Sequence, residues 1–114
     1  MKNIFLIGDS IRFGASGSPG YGVYVKEKLE GKANVYAPDK NCRFAQYTLR
    51  YLHEWANGIE KEKIDIVHWN NGLWDICDLF GDGMFSSMEE YAQNMLRIAD
   101  ILLKRYDKVI FATT

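Results

Sequence analysis

The chain has 114 residues and a mass of 13.1 kDa, room for one domain. Apolar residues make up 47% and charged residues 25%, the balance of a packed fold and not of a disordered chain. A net charge of −1, from 14 basic and 15 acidic side chains, offers no field for nucleic acid or an anionic membrane surface.

Residues 1–8, MKNIFLIG, hold one lysine and a short apolar run. That run is too short for a signal-peptide core with its cleavage site, and far too short to span a bilayer. The expectation is a cytoplasmic chain, or one whose leader has been removed. Asn3–Gly8 reads as a strand of a sheet covered on both faces, because its apolar residues are continuous. A glycine-rich loop from Gly14 to Gly22, with Pro19 inside it, leads into a short helix over Tyr21–Leu29. Asn34–Ala37 is a second strand, ended by Pro38. The helix predicted over Phe44–Asn57 presents Phe44, Tyr47, Tyr51, Leu52 and Trp55 at spacings of three and four, and Gly58 closes it. Ile64–Trp69 is the third strand, with Asn70-Asn71-Gly72 as its turn.

The strongest helical signal spans Met88–Tyr106. Ser86 with Glu89 and Ser87 with Glu90 give two overlapping S-x-x-E capping signals. An apolar stripe follows at Met88, Tyr91, Ala92, Met95, Ile98, Ala99 and Leu102, and Lys104 and Arg105 complement the carbonyl end of the helix dipole. Lys108–Thr113 is a fourth strand. Strands alternating with helices predict an α/β chain with a parallel sheet.

Cys42 and Cys77 form neither a CxxC site nor a disulfide framework, and with the two histidines they lack metal-ligand spacing. Two reduced thiols and no metal are expected. Asp75 and Asp78 flank the loop after the third strand, but two carboxylates without further ligands do not make a metal site.

The chemistry gathers at strand ends. Gly8-Asp9-Ser10 falls where the first strand stops, and open α/β sheets bind ligands outside the carboxyl ends of their strands. The stretch IFLIGDSIRFG resembles the first block of the SGNH, or GDSL, hydrolase family, whose serine after Gly-Asp is the acyl-accepting nucleophile. Asn41-Cys42-Arg43-Phe44 is similar to the second block, with Cys42 where the family has glycine. The third block is usually Gly-x-Asn-Asp. Here His68-Trp69-Asn70-Asn71-Gly72-Leu73-Trp74-Asp75 resembles a variant branch reading His-Phe-Asn-x-Gly-Leu-His-Asp.

The resemblance implies a flavodoxin-like three-layer α/β/α sandwich with strand order 2-1-3-4. It implies Ser10 as nucleophile and an oxyanion site made of the Ser10 N–H, the Cys42 N–H and the Asn70 side chain, with Asn71 as the alternative donor. Losing one such donor typically costs about a hundred- to a thousandfold in rate. Asp9, Arg12 and Asn71 are candidate substrate contacts; for Arg12 a local structural role is preferred, since exposed arginines near loops usually pair locally. The substrates implied are small acyl esters, acetylated carbohydrates among them, with no metal or organic cofactor.

A serine needs a general base, and the family supplies it from a late Asp-x-x-His. The only such spacing here is Asp65 to His68, within a strand, where residues i and i+3 point to opposite faces. His53 lies on the second helix beside Glu54. Neither histidine is expected to serve Ser10. The first helix would also stand alone on one face of the sheet, leaving apolar surface exposed, and Val109-Ile110-Phe111 would be an open edge. A segment continuing past Thr114, or a second copy of the chain, is the expected cover. Two rival readings come from other classes: a binding domain that keeps the cleft without the base, and a phosphate or nucleotide binder using Gly14-x-x-Gly17-x-x-Gly20. The second lacks a Walker lysine-serine ending and does not open directly from the strand.

Overall fold

The computed structural model describes residues 1–59 and 62–114. The chain runs β1 (Lys2–Ile7), α1 (Ser10–Phe13), the two-residue strands β2 (Gly14–Ala15) and β3 (Ser18–Pro19), α2 (Tyr21–Lys28), β4 (Ala33–Tyr36), α3 (Ala45–Asn57), β5 (Ile66–Trp69), α4 (Leu73–Ile76), α5 (Met88–Arg105) and β6 (Val109–Phe111). The main sheet is parallel throughout, in the order β4-β1-β5-β6. Leaving aside the β2–β3 hairpin, this is the order 2-1-3-4 of a three-layer α/β/α sandwich. Among the described residues, no helix is long and apolar enough to cross a membrane.

Strand alternation sorts the side chains. Phe5, Ile7, Val67 and Trp69 point to one side and form the core with Ala45, Leu52 and Ala56 of α3 and Ile98 and Leu102 of α5. Ile4, Leu6, Ile66, His68 and Ile110 point to the other, where Tyr21 and Val25 of α2 complete a groove of about 470 Å³. The register puts Leu6 beside His68 and His68 beside Ile110, so the histidine sits mid-row in an apolar face. Each large side chain buried in such a core contributes roughly 1.5–3 kcal/mol, and that contribution is concentrated on the α3/α5 side. No residue of α2 is fully buried.

Two helices depart in detail from the sequence expectation. On α3 the fully buried face is Ala45, Thr48, Leu52 and Ala56, with Phe44, Tyr47, Tyr51 and Trp55 of the expected stripe only half-buried. The other, α5, differs at its start. The cap of α5 is Ser87 alone, whose hydroxyl accepts from the Glu90 N–H at 3.1 Å and donates to the Glu90 carboxylate at 3.0 Å. Ser86 is drawn away to Asp75. The stripe of α5 also narrows at its start, because Met88 is 64% exposed while Tyr91, Met95, Ile98, Ala99 and Leu102 pack. The short elements α1, α4 and the β2–β3 hairpin carry no periodic signal, being too short to show one.

Candidate active site

Ser10 opens α1 directly beyond the carboxyl end of β1. Asp9 caps that helix: its carboxylate accepts the Ile11 N–H at 2.9 Å, and its carbonyl accepts the N–H groups of Arg12 at 3.1 Å and Phe13 at 2.9 Å. As the first helical residue, Ser10 has an N–H without an intrahelical acceptor. No hydrogen bond among the described residues holds its hydroxyl. Gly14 then turns the chain with φ of 98°, and Gly20 passes so close that a Cβ there would meet the Arg12 carbonyl oxygen at 2.1 Å.

Asp9 and Arg12, the candidate substrate contacts, both point inward and are only 1% and 4% exposed, and Arg12 takes the local structural role preferred for it. Arg12 Nε donates to the Gly8 carbonyl at 3.2 Å, while Nη2 donates to the Lys40 carbonyl and lies 3.8 Å from Cys42 Sγ. One guanidinium therefore ties the end of β1 to the loop of the second block. Its planar fork suits this double duty.

The Cys42 N–H, expected as an oxyanion donor, has a partner within the chain. It donates to the Gly8 carbonyl at 3.1 Å and so belongs to the same tie. Burial pushes the Cys42 thiol pKa up, partly offset by the Arg12 charge, and a protonated buried thiol is inert. The left-handed conformation that a glycine in this block would ease falls one residue later, on Arg43 with φ of 54°. The Arg43 N–H is taken by Asn41 Oδ1 at 2.8 Å.

The two asparagines after β5 have separate roles. Asn71 is wholly buried: its Oδ1 accepts from Trp69 Nε1 at 2.7 Å, and its Nδ2 donates to Thr48 Oγ1 at 3.0 Å and to the Arg43 carbonyl at 3.2 Å. The Asn71 amide, a candidate substrate contact and alternative donor, is thus fully engaged inside the fold. Asn70 is half-buried, and its Nδ2 donates to the Ala112 carbonyl at 2.7 Å and to Thr114 Oγ1 at 3.2 Å. The longer bond, to an exposed hydroxyl, is the one a substrate oxygen could replace. β1 and β5 are paired neighbours, with Ile7 beside Trp69, so Ser10 and Asn70 emerge from the same end of adjacent strands.

Ser10 lines a cavity of about 680 Å³ with Leu73, Trp74, Cys77, Leu79, Phe80 and the 82–85 segment. Asp75 anchors this region without facing it. The carboxylate accepts the Ala45 N–H at 3.0 Å and the Ser86 hydroxyl at 2.6 Å, pinning the start of α3 to the end of the loop. The Asp78 carboxylate accepts the Gly81 N–H at 2.7 Å and shapes a turn. Among the described residues, no three His, Cys, Asp or Glu side chains gather as a metal site.

Neither histidine lines the Ser10 cavity. His68 faces the groove under α2, with its ring edge-on to Tyr21 at 6.1 Å and its buried Nδ1 unbonded among the described residues. The Asp65 carboxylate instead accepts the Asn3 N–H at 2.8 Å. His53 Nδ1 lies 3.2 Å from Arg105 on the exposed α3/α5 side. The cavity walls contributed by Cys77 and Asp82 escaped sequence reasoning, since a loop without periodicity carries no signal of what it faces.

No family model matches the chain, and no curated protein matches it. Among solved structures, it is similar to a catalytic mutant of Axe2, an acetylxylan esterase from Geobacillus stearothermophilus, with a TM-score of 0.69 at 17% identity. The likeness covers 96% of this chain and 58% of that one, so the chain spans little more than half of that structure's length. At this identity the likeness is one of fold alone: a three-layer α/β/α sandwich.

Proposed function

We propose that the protein is a serine ester hydrolase of the SGNH type, with Ser10 as nucleophile. Ser10 Oγ adds to the ester carbonyl and loses its proton to a base. The alcohol departs with a proton as the acyl-serine forms, and water then releases the acid and restores the hydroxyl. The negative charge on the tetrahedral oxygen rests on the Ser10 N–H and Asn70 Nδ2, the latter exchanging its bond to Thr114 for one to the oxyanion. The observation that carries this reading is the free Ser10 hydroxyl, on the rim of a cavity and at the same sheet end as Asn70. The acetylxylan esterase activity of the Axe2 structure, similar in fold, supports small acyl esters as substrates.

Among the described residues, neither histidine lines the cavity, so no imidazole there is placed to take the Ser10 proton. The same observation favours a second reading, a domain that binds esters in this cleft without turning them over. Release of p-nitrophenolate from p-nitrophenyl acetate over many cycles, lost in Ser10→Ala, is the expected result. Equal release by wild type and Ser10→Ala would overturn the nucleophile assignment, and saturable ester binding without release would leave the binding-only reading.

A further inference from the structure

The lining of the Ser10 cavity defines the kind of ester it takes. At about 680 Å³ the cavity lies within the range of sites that enclose a whole small ligand, far beyond the needs of an acetyl group. Its walls are Leu73, Trp74, Leu79, Phe80, Met84 and Phe85. Besides Ser10, the polar groups among its lining side chains are the Asp82 carboxylate, the Trp74 indole N–H and the weakly bonding Cys77 thiol. A polyhydroxylated ligand would give up its hydrogen bonds to water and find few replacements there, which is unfavourable for every hydroxyl left unpaired.

The loop that makes the outer wall is fixed at its base and apolar at its tip. Phe85 N–H donates to the Cys77 carbonyl at 3.0 Å, and Ser86 is held by Asp75 through both its hydroxyl and its N–H. The Phe85 ring packs on Phe44 with centroids 4.6 Å apart, and Phe44 in turn lies 6.0 Å from Trp74. The tip, by contrast, leaves Leu79 76% and Phe80 87% exposed. Two large apolar side chains held over a cavity by a pinned loop gain the most from an apolar occupant.

We propose that this cavity binds the apolar alkyl or aryl part of an ester, in preference to a sugar, and that the 77–85 loop sets that selectivity. The proposal rests on the Ser10 reading for the reaction but not for the binding. It is tested on Ser10→Ala, which holds the ligand unchanged, by calorimetric titration with two series: methyl esters from acetate to hexanoate, and acetates from methyl to hexyl. Affinity should rise by up to about fourfold per added methylene in at least one series, and that series assigns the apolar group to the acyl or the alcohol side. The double variant Leu79→Ser, Phe80→Ser, in the same background, should flatten that rise. Flat affinities in both series, a slope untouched by the double variant, or tighter binding of monoacetyl xylose than of hexyl acetate would overturn it. Turnover that survives Ser10→Ala beside a steep chain-length slope would sink the nucleophile and leave the cavity proposal standing. The converse pattern, Ser10-dependent turnover with flat affinities, would do the reverse.

Discussion

The Ser10 turn and the 77–85 loop are two walls of one cavity, built in opposite ways. Around Ser10 most neighbouring polar groups are engaged: Asp9 Oδ1 caps, Arg12 ties two loops, and the Cys42 N–H closes on Gly8, while Asp9 Oδ2 and the Tyr21 hydroxyl have no partner among the described residues. The opposite wall is bonded at its two ends and offers apolar side chains between them. A reacting group needs a fixed geometry, whereas an apolar contact is non-directional and tolerates variation. The difference assigns chemistry to the first wall and selectivity to the second.

The largest effect should come from separating the two asparagines. Asn70→Ala should lower ester turnover by about a hundred- to a thousandfold and cost only about 1 kcal/mol by urea denaturation, from its lost bond to the Ala112 carbonyl. Asn71→Ala should instead destabilise the fold by about 3 kcal/mol, because it leaves Trp69 Nε1 and Thr48 without their buried partner. Equal loss of stability in the two variants would erase the distinction. Arg12→Ala comes next, with an expected cost of about 3 kcal/mol from its buried carbonyl ties, measured by urea denaturation. Lysine should restore little, since one ammonium cannot reproduce the fork.

The opposite wall should answer differently. Asp75→Ala should cost about 2–3 kcal/mol, as the Ala45 N–H and the Ser86 hydroxyl lose a charged acceptor. Leu79→Ser at the exposed tip should stay within about 0.5 kcal/mol of wild type in thermal melting. A large loss there would mean that the tip belongs to the core.

The smallest effect is on pH. Burial raises the pKa of the Cys42 thiol and the Tyr21 phenol above their ordinary values of 9.0 and 10.0. The folded state therefore holds these protons more tightly than the unfolded chain does. Their stabilisation is complete below pH 9 and is lost as pH rises past the ordinary thiol and phenol values toward the raised ones. Melting temperatures should fall across that alkaline window, and Tyr21→Phe should fall less steeply than wild type.

Much of the scaffold was legible in the sequence because periodicity reports burial. The continuous run at Phe5, Leu6 and Ile7 announced a buried strand, and the α5 stripe announced its packing side, whereas of the α3 stripe only Leu52 is fully buried. The strand order followed from the resemblance carried by the Ser10, Cys42 and Asn70 blocks. What those blocks could not convey was hydrogen-bond partnership. Cys42 occupies the expected place, yet its N–H turns to Gly8; Asn71 adjoins Asn70, yet it is buried among Trp69, Thr48 and Arg43. Such assignments depend on contacts between segments distant in sequence. The 77–85 wall was illegible for another reason: its apolar residues follow no period, so only the folded chain shows that they face Ser10.

Whether Ser10 is the acyl acceptor can be read directly by mass spectrometry of peptides after exposure to p-nitrophenyl acetate. The account predicts an acetyl adduct on the peptide bearing Ser10, absent from the same peptide of Ser10→Ala. Acetylation that falls on Cys77 or surface lysines, with the Ser10 peptide unmodified, would contradict it.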